Sequence, residues 1–221
     1  MCVIYMTLFA RYYNSENVLE KVSMSDMGEL IKDEKYKSRI ADLIYERYYN
    51  RYLKIFFFSS KEEKIYTKNS KEVKNKIFQE EYKNGFVIMA SCCLLIETLA
   101  SFFTGNNKTP KDESVEMFKT VFKQAEKYSN KLKIFHNESF YSKVRCGILH
   151  QGETYGKFKI LRKGKLFDNK EYTINATEFC LELNKFLKSY TEELKNLETR
   201  WDSDIWDKCR IKIRHIIDNS K

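Results

Sequence analysis

The residues best suited to chemistry in this 221-residue chain lie in one stretch, residues 140–154, which reads FYSKVRCGILHQGET. Arg145 and His150 stand five positions apart there, among the apolar Val144, Ile148 and Leu149. A histidine gives or takes a proton near neutral pH. An arginine is a permanent cation whose planar fork clamps phosphate. Together they suit cleavage of a phosphodiester that carries its own nucleophile, the 2′-OH of RNA. That reaction calls for no metal and no cofactor, and the chain shows no carboxylate cluster that would hold one.

On an ideal helix a five-residue step turns the two side chains about 140° apart. They converge only if the helix distorts, if His150 sits in the last turn, or if a second chain contributes. Gly147 weakens the helix by about 1 kcal/mol relative to Ala and permits close backbone approach. Gly152 reads as a helix terminator, which puts His150 near a helix C-terminus, where the imidazolium form is favoured. Glu153, three residues on, favours it further. The spacing recurs at Arg210 and His215 in CRIKIRHII, where it reads as a solvated basic surface helix. Spacing alone also admits a purely structural reading, with Arg145 paired to Glu97 in the core and His150 satisfied there.

The segment VRCGILHQGET, set in a late core helix after an apolar helix with one carboxylate (LLIETL) and a Gly-Asn break, resembles the HEPN superfamily. The resemblance spans roughly residues 72–197 and is most specific over the site segment. It implies an all-α, up-and-down helical bundle and, in many members, a metal-independent ribonuclease of toxin–antitoxin, abortive-infection or CRISPR-effector systems. It also implies a homodimer whose two Arg/His pairs share one composite cleft. Carried onto this chain, Arg145 orients the scissile phosphate and His150 transfers the proton. Glu97 becomes an inward-facing partner for Arg145. Gln151 lines the cleft, and Tyr141 either stacks a base or packs in the core. Cys146 stands where the family carries a polar residue, often Asn, and a thiol hydrogen-bonds poorly. The alternative is therefore a catalytically inactive HEPN-type module that binds RNA, nucleotide or a partner protein. An antitoxin or defence partner is the corresponding expectation for an active chain. A third reading, a helical structural protein, predicts no salt-dependent RNA binding.

The elements that must position these residues are mostly helices. One proline and seven glycines exclude collagen, Pro-rich linkers and a turn-dense sandwich. Hydrophobic residues make up 43%, enough to bury a core and exclude wholesale disorder. Residues 1–34 show little periodicity beyond a short helix over 24–31, capped by Ser23 or Ser25. Three- and four-residue spacings predict an amphipathic helix over 35–58, then a polar loop over 60–70. A long helix is expected over 72–103 and is apolar all round after Gly85, as befits the middle of a bundle. Gly105 and the lone Pro110 break it. Further helices follow over Ser114–Tyr128, 138–151, 176–197 and 204–217. The third of these starts at an Asx cap, Asn175, with Glu178 at its third position. Trp201 and Trp206 read as packing anchors. Over 155–174 the period changes to two, which predicts a small β-hairpin appendage. It carries Lys157, Lys159, Arg162 and Lys163, which with Lys143 are candidate RNA-backbone contacts, or else a solvated flap. The expected organisation is an N-terminal helical extension (1–71), a helical core (72–200) and a C-terminal helix (201–221).

Net charge is +9, a balance that attracts polyanions. Six cysteines show no framework and three scattered histidines offer no zinc cluster, so reduced, mostly buried thiols and a cytoplasmic protein are expected. The run 86–103 is the one membrane candidate. Glu97 within it costs about 2.5–3.5 kcal/mol at a bilayer centre, which favours a buried core helix and no membrane association.

Overall fold

The computed structural model describes residues 7–56, 84–108, 113–137 and 139–220. It is 65% helix and 10% strand, an arrangement of helices with small sheets attached. The expected polar loop at 60–70 and the first part of the helix expected over 72–103 lie outside the described residues.

The first departure from expectation is at the N-terminus. Where little periodicity is legible, β1 (Leu8–Tyr13) and β2 (Leu19–Ser23) form an antiparallel hairpin. The hairpin rests on the helix α2, and Phe9, Ala10, Tyr12 and Val22 are buried beneath it. A register shift near Ala10 disturbs the simple alternation that would have signalled a strand. So the first 71 residues are not wholly helical. Helix α1 (Met24–Leu30) begins at Ser23, whose hydroxyl accepts from the Asp26 N–H while Asp26 accepts from the Ser23 N–H. Helix α2 (Lys37–Tyr48) buries Ile40, Leu43, Ile44 and Tyr48 at the expected spacing, then winds on through a π turn (Tyr49–Leu53).

Helix α3 (Gly85–Thr104) is the axis of the fold and touches α2 and all the later helices. By length and a hydropathy of 2.1 it could cross a membrane, yet 56% of that window is buried inside the protein. It ends where Gly105 takes φ 75°, its N–H bonded to Ser101 O. Helix α4 (Ser114–Tyr128) buries Met117, Phe118, Val121, Phe122, Ala125 and Tyr128 and leaves Val115 half-buried. A 3-10 turn (Asn130–Phe135) leads to the site helix, a π segment (Phe140–Arg145) continued as α5 (Cys146–Gln151).

The appendage is not a simple hairpin. Its three short strands, β3 (Lys159–Leu161), β4 (Phe167–Asp168) and β5 (Thr173–Asn175), stand in the order β3-β5-β4, with β3 parallel to β5. The local alternation is real, but β5 is drawn between the other two by burial of Ile174. Helix α6 (Ala176–Lys195) starts at Asn175, whose side chain accepts from the N–H groups of Thr177 and Glu178. It lies parallel to α3: Gly85 is near Ala176 and Phe103 meets Phe186 and Tyr190. Helix α7 (Asp204–Asp218) is not simply a surface helix, since Trp206, Cys209 and Ile213 are fully buried. Trp206 packs on Trp201 and donates to Leu194 O. Arg210 lies over the Trp201 ring, donates to its carbonyl and pairs with Asp207. The second Arg/His spacing is thus tied into packing.

Candidate active site

The site helix is held from below by aromatic rings. Phe140 stacks on Phe179 at 5.4 Å and meets Phe122 and Phe135 edge-on at 5.1 and 5.2 Å. Val144 and Ile148, one and two turns on, complete the buried face. Spacing of four therefore fixes which side faces the core, and Lys143, His150 and Gln151 are left exposed.

Two glycines shape the end of the helix. Gly152 takes φ 72° and bonds through its N–H to Ile148 O, the pattern of an αL cap, while the Glu153 N–H bonds further back to Gly147 O. The chain then doubles back along the helix, and the Tyr155 N–H reaches Lys143 O at 2.8 Å. The crossing passes directly over Gly147. A Cβ there would lie 3.1 Å from Thr154 Cα, and closer still to the Glu153 carbonyl oxygen. Glycine at 147 is therefore a steric requirement of the crossing.

Arg145 and His150 do converge within one chain. Arg145 Nη1 lies 3.1 Å from His150 Nε2. The wide turn preceding Arg145, the length of its side chain and the place of His150 in the last turn together overcome the angular separation. Glu97, reaching across from α3, aims the guanidinium: its Oε1 accepts from Arg145 Nε at 2.8 Å and from Nη2 at 2.5 Å. Burial works against the charge of Arg145, but the hydrogen bonds and charge of Glu97 outweigh it and raise its pKa above the ordinary value. The Tyr141 ring lies under the guanidinium at 5.4 Å and meets Phe118 edge-on, so it is a packing and cation–π partner.

A guanidinium only donates hydrogen bonds. In the contact with His150 the donor is Arg145 Nη1, and Nε2 takes the accepting role in the tautomer that carries its proton on Nδ1. The exposed imidazole thus presents a basic nitrogen beside a fixed cation, the pairing that proton abstraction next to a phosphate demands.

The remaining predicted residues separate into groups. Cys146 is half-buried behind Arg145, and Gln151 is exposed at the helix end. Lys143 and Lys157 are exposed on neighbouring stretches of backbone. Lys159 is paired with Glu171, and Arg162 turns in beside Gly85 to reach Thr177 Oγ1. Burial lowers the pKa of Arg162 from its ordinary value. Lys163 is exposed on the loop after β3. Among the described residues no group of three or more His, Cys, Asp or Glu side chains could hold a metal. Sequence reasoning expected Cys93 among the buried thiols but missed its place one turn before Glu97, where burial pushes its thiol pKa up while Arg145 pulls it down. It also missed the left-handed backbone of Lys157, φ 72°, which no residue-type signal announces.

Comparison of the chain with family models, with curated proteins and with solved structures found no match.

Proposed function

We propose that this chain is a metal-independent endoribonuclease of HEPN type. One observation carries the reading: the exposed His150 Nε2 sits 3.1 Å from Arg145 Nη1, on a guanidinium already aimed by Glu97. His150 takes the proton of an RNA 2′-OH as that oxygen attacks the adjacent phosphorus. Arg145 holds the phosphate and offsets the charge growing on its oxygens. The P–O5′ bond breaks, leaving a 2′,3′-cyclic phosphate on one fragment and a 5′-OH on the other. The leaving oxygen takes its proton from water or from His150 of a second protomer. A homodimer with a composite cleft, acting in the cytoplasm in a toxin or antiviral-defence setting, completes this reading.

A second reading has its own support. Glu97 occupies two of the Arg145 donors, and Cys146 supplies no strong hydrogen bond. That combination suits a silent module that binds RNA, nucleotide or a partner protein. End-labelled mixed RNA in EDTA, with wild type beside His150→Ala, separates the two. The ribonuclease reading requires cutting by the wild type alone, with cyclic phosphate ends. No cutting by either protein moves the assignment to the binding module. Equal cutting by both removes His150 from the proton-transfer role.

A further inference from the structure

The segment that doubles back over Gly147 carries backbone that side-chain-bearing residues avoid. Gly152, Gly156 and Lys157 all have positive φ, at 72°, 63° and 72°. Two of the three are glycines, which adopt that conformation freely. Lys157 is not, and a left-handed conformation in such a residue is strained. Glycine or asparagine would be the usual choice at such a position.

Nothing in the fold repays lysine at 157. Its side chain is exposed, and among the described residues it makes neither a hydrogen bond nor an ion pair. Lys143 is in the same condition. The two are brought together by the return of the chain, because the Lys143 stem lies across Gly156. A Cβ on Gly156 would sit 3.3 and 3.5 Å from Lys143 Cδ and Cε. Lys143 precedes His150 by seven residues on the same site helix, and both side chains are exposed. Glu153 is the one acidic residue of the returning stretch 152–158. Arg145 is balanced by Glu97. The surface beside His150 therefore keeps a net positive charge supplied by two unpaired ammonium groups.

We propose that Lys143 and Lys157 form a clamp for a backbone phosphate of single-stranded RNA, next along the strand from the phosphate at Arg145 and His150. The inference rests on reading that pair as an RNA-facing site. The clamp fixes the register of the strand without reading its bases, as phosphate contacts do.

The test uses the full wild-type chain and an uncleavable 2′-O-methyl RNA oligonucleotide, so that binding is measured apart from catalysis. The salt dependence of affinity is compared for wild type, Lys157→Gly, Lys143→Gln and, as control, Lys21→Gln on β2. The double variant should lower the slope of log affinity against log salt by about 0.7, the loss of one phosphate contact, and each single variant by part of that. Lys21→Gln should leave it unchanged. Lys157→Gly should also keep or raise Tm, because glycine relieves the left-handed backbone, and a merely structural lysine would not behave so. A slope unchanged in Lys157→Gly, a fall in its Tm, or a wild type that does not bind the oligonucleotide overturns the clamp. If unmodified RNA is not cut in EDTA while the slope differences persist, the clamp stands and the catalytic reading falls.

Discussion

Gly147→Ala should destabilise this protein, although glycine-to-alanine changes inside helices ordinarily do the opposite. Alanine gains about 1 kcal/mol in helix propensity over glycine. Here the new methyl would meet backbone, not a yielding side chain: Thr154 Cα at 3.1 Å, the Glu153 carbonyl carbon at 3.3 Å and its oxygen nearer still. Overpacking of that kind costs about 1–3 kcal/mol. If the crossing strand retreats instead, the Gly152-to-Ile148 and Glu153-to-Gly147 hydrogen bonds weaken, at about 1 kcal/mol each. After the propensity gain, the net loss centres on about 1 kcal/mol, a fall in Tm of about 2–4 °C for a chain of this size. Gly28→Ala is the matched control. Gly28 lies in α1, and its added methyl would meet only Ile217 Cδ1 at 3.8 Å, an ordinary contact. It should gain up to about 1 kcal/mol and raise Tm by about 2–4 °C. Thermal unfolding followed by far-ultraviolet circular dichroism reads both. A Gly147→Ala protein as stable as wild type, or two variants that shift alike, would refute the steric account of the crossing.

Other outcomes follow from the same structure. Glu182 is buried, and although burial pushes its pKa up, hydrogen bonds from Lys185, Ser129 and Lys131 outweigh that and lower it below the ordinary 4.5. A depressed carboxylate contributes its stability above the ordinary value and loses it as pH falls through the native one. Glu182→Gln should therefore cost about 1–3 kcal/mol at neutral pH and flatten the acid side of the stability profile, read from urea midpoints at several pH values. Glu97→Gln removes the charge that aims Arg145 and should cut ribonuclease activity at least tenfold, equivalent to about 1.4 kcal/mol, if positioning of the guanidinium matters. Activity equal to wild type in single-turnover cleavage would make that ion pair structural only. Among the described cysteines, Cys92, Cys93, Cys180 and Cys209 are buried, and burial pushes the Cys209 thiol up to about 12. They should resist a thiol reagent in the native protein while half-buried Cys146 reacts first, and peptide mapping of the labelled sites checks the order.

Much of the helical framework is legible in the residues themselves. Ser23, Gly105, Asn175 and Gly152 mark helix ends by local hydrogen bonding and backbone freedom, which do not depend on distant contacts. The apolar stripes of α4 and α6 are read from spacing, because a helix repeats its faces wherever it packs. Arg145, His150 and Glu97 are identifiable as chemically apt types, and the pairing of Arg145 with Glu97 follows once α3 and the site helix are placed together. The β1–β2 hairpin and the β3-β5-β4 order are not legible, because short strands take their stability from partners that local sequence does not name. What the sequence alone determined is which groups are available for proton transfer and phosphate binding. Only the tertiary structure decided that they meet. The meeting depends on a wide turn before Arg145, a carboxylate arriving from another helix, and a backbone crossing that only glycine at 147 admits. The carboxylate arrives from 48 residues away in the sequence, and the turn and the crossing are set by how the site segment packs, which residue types alone do not announce.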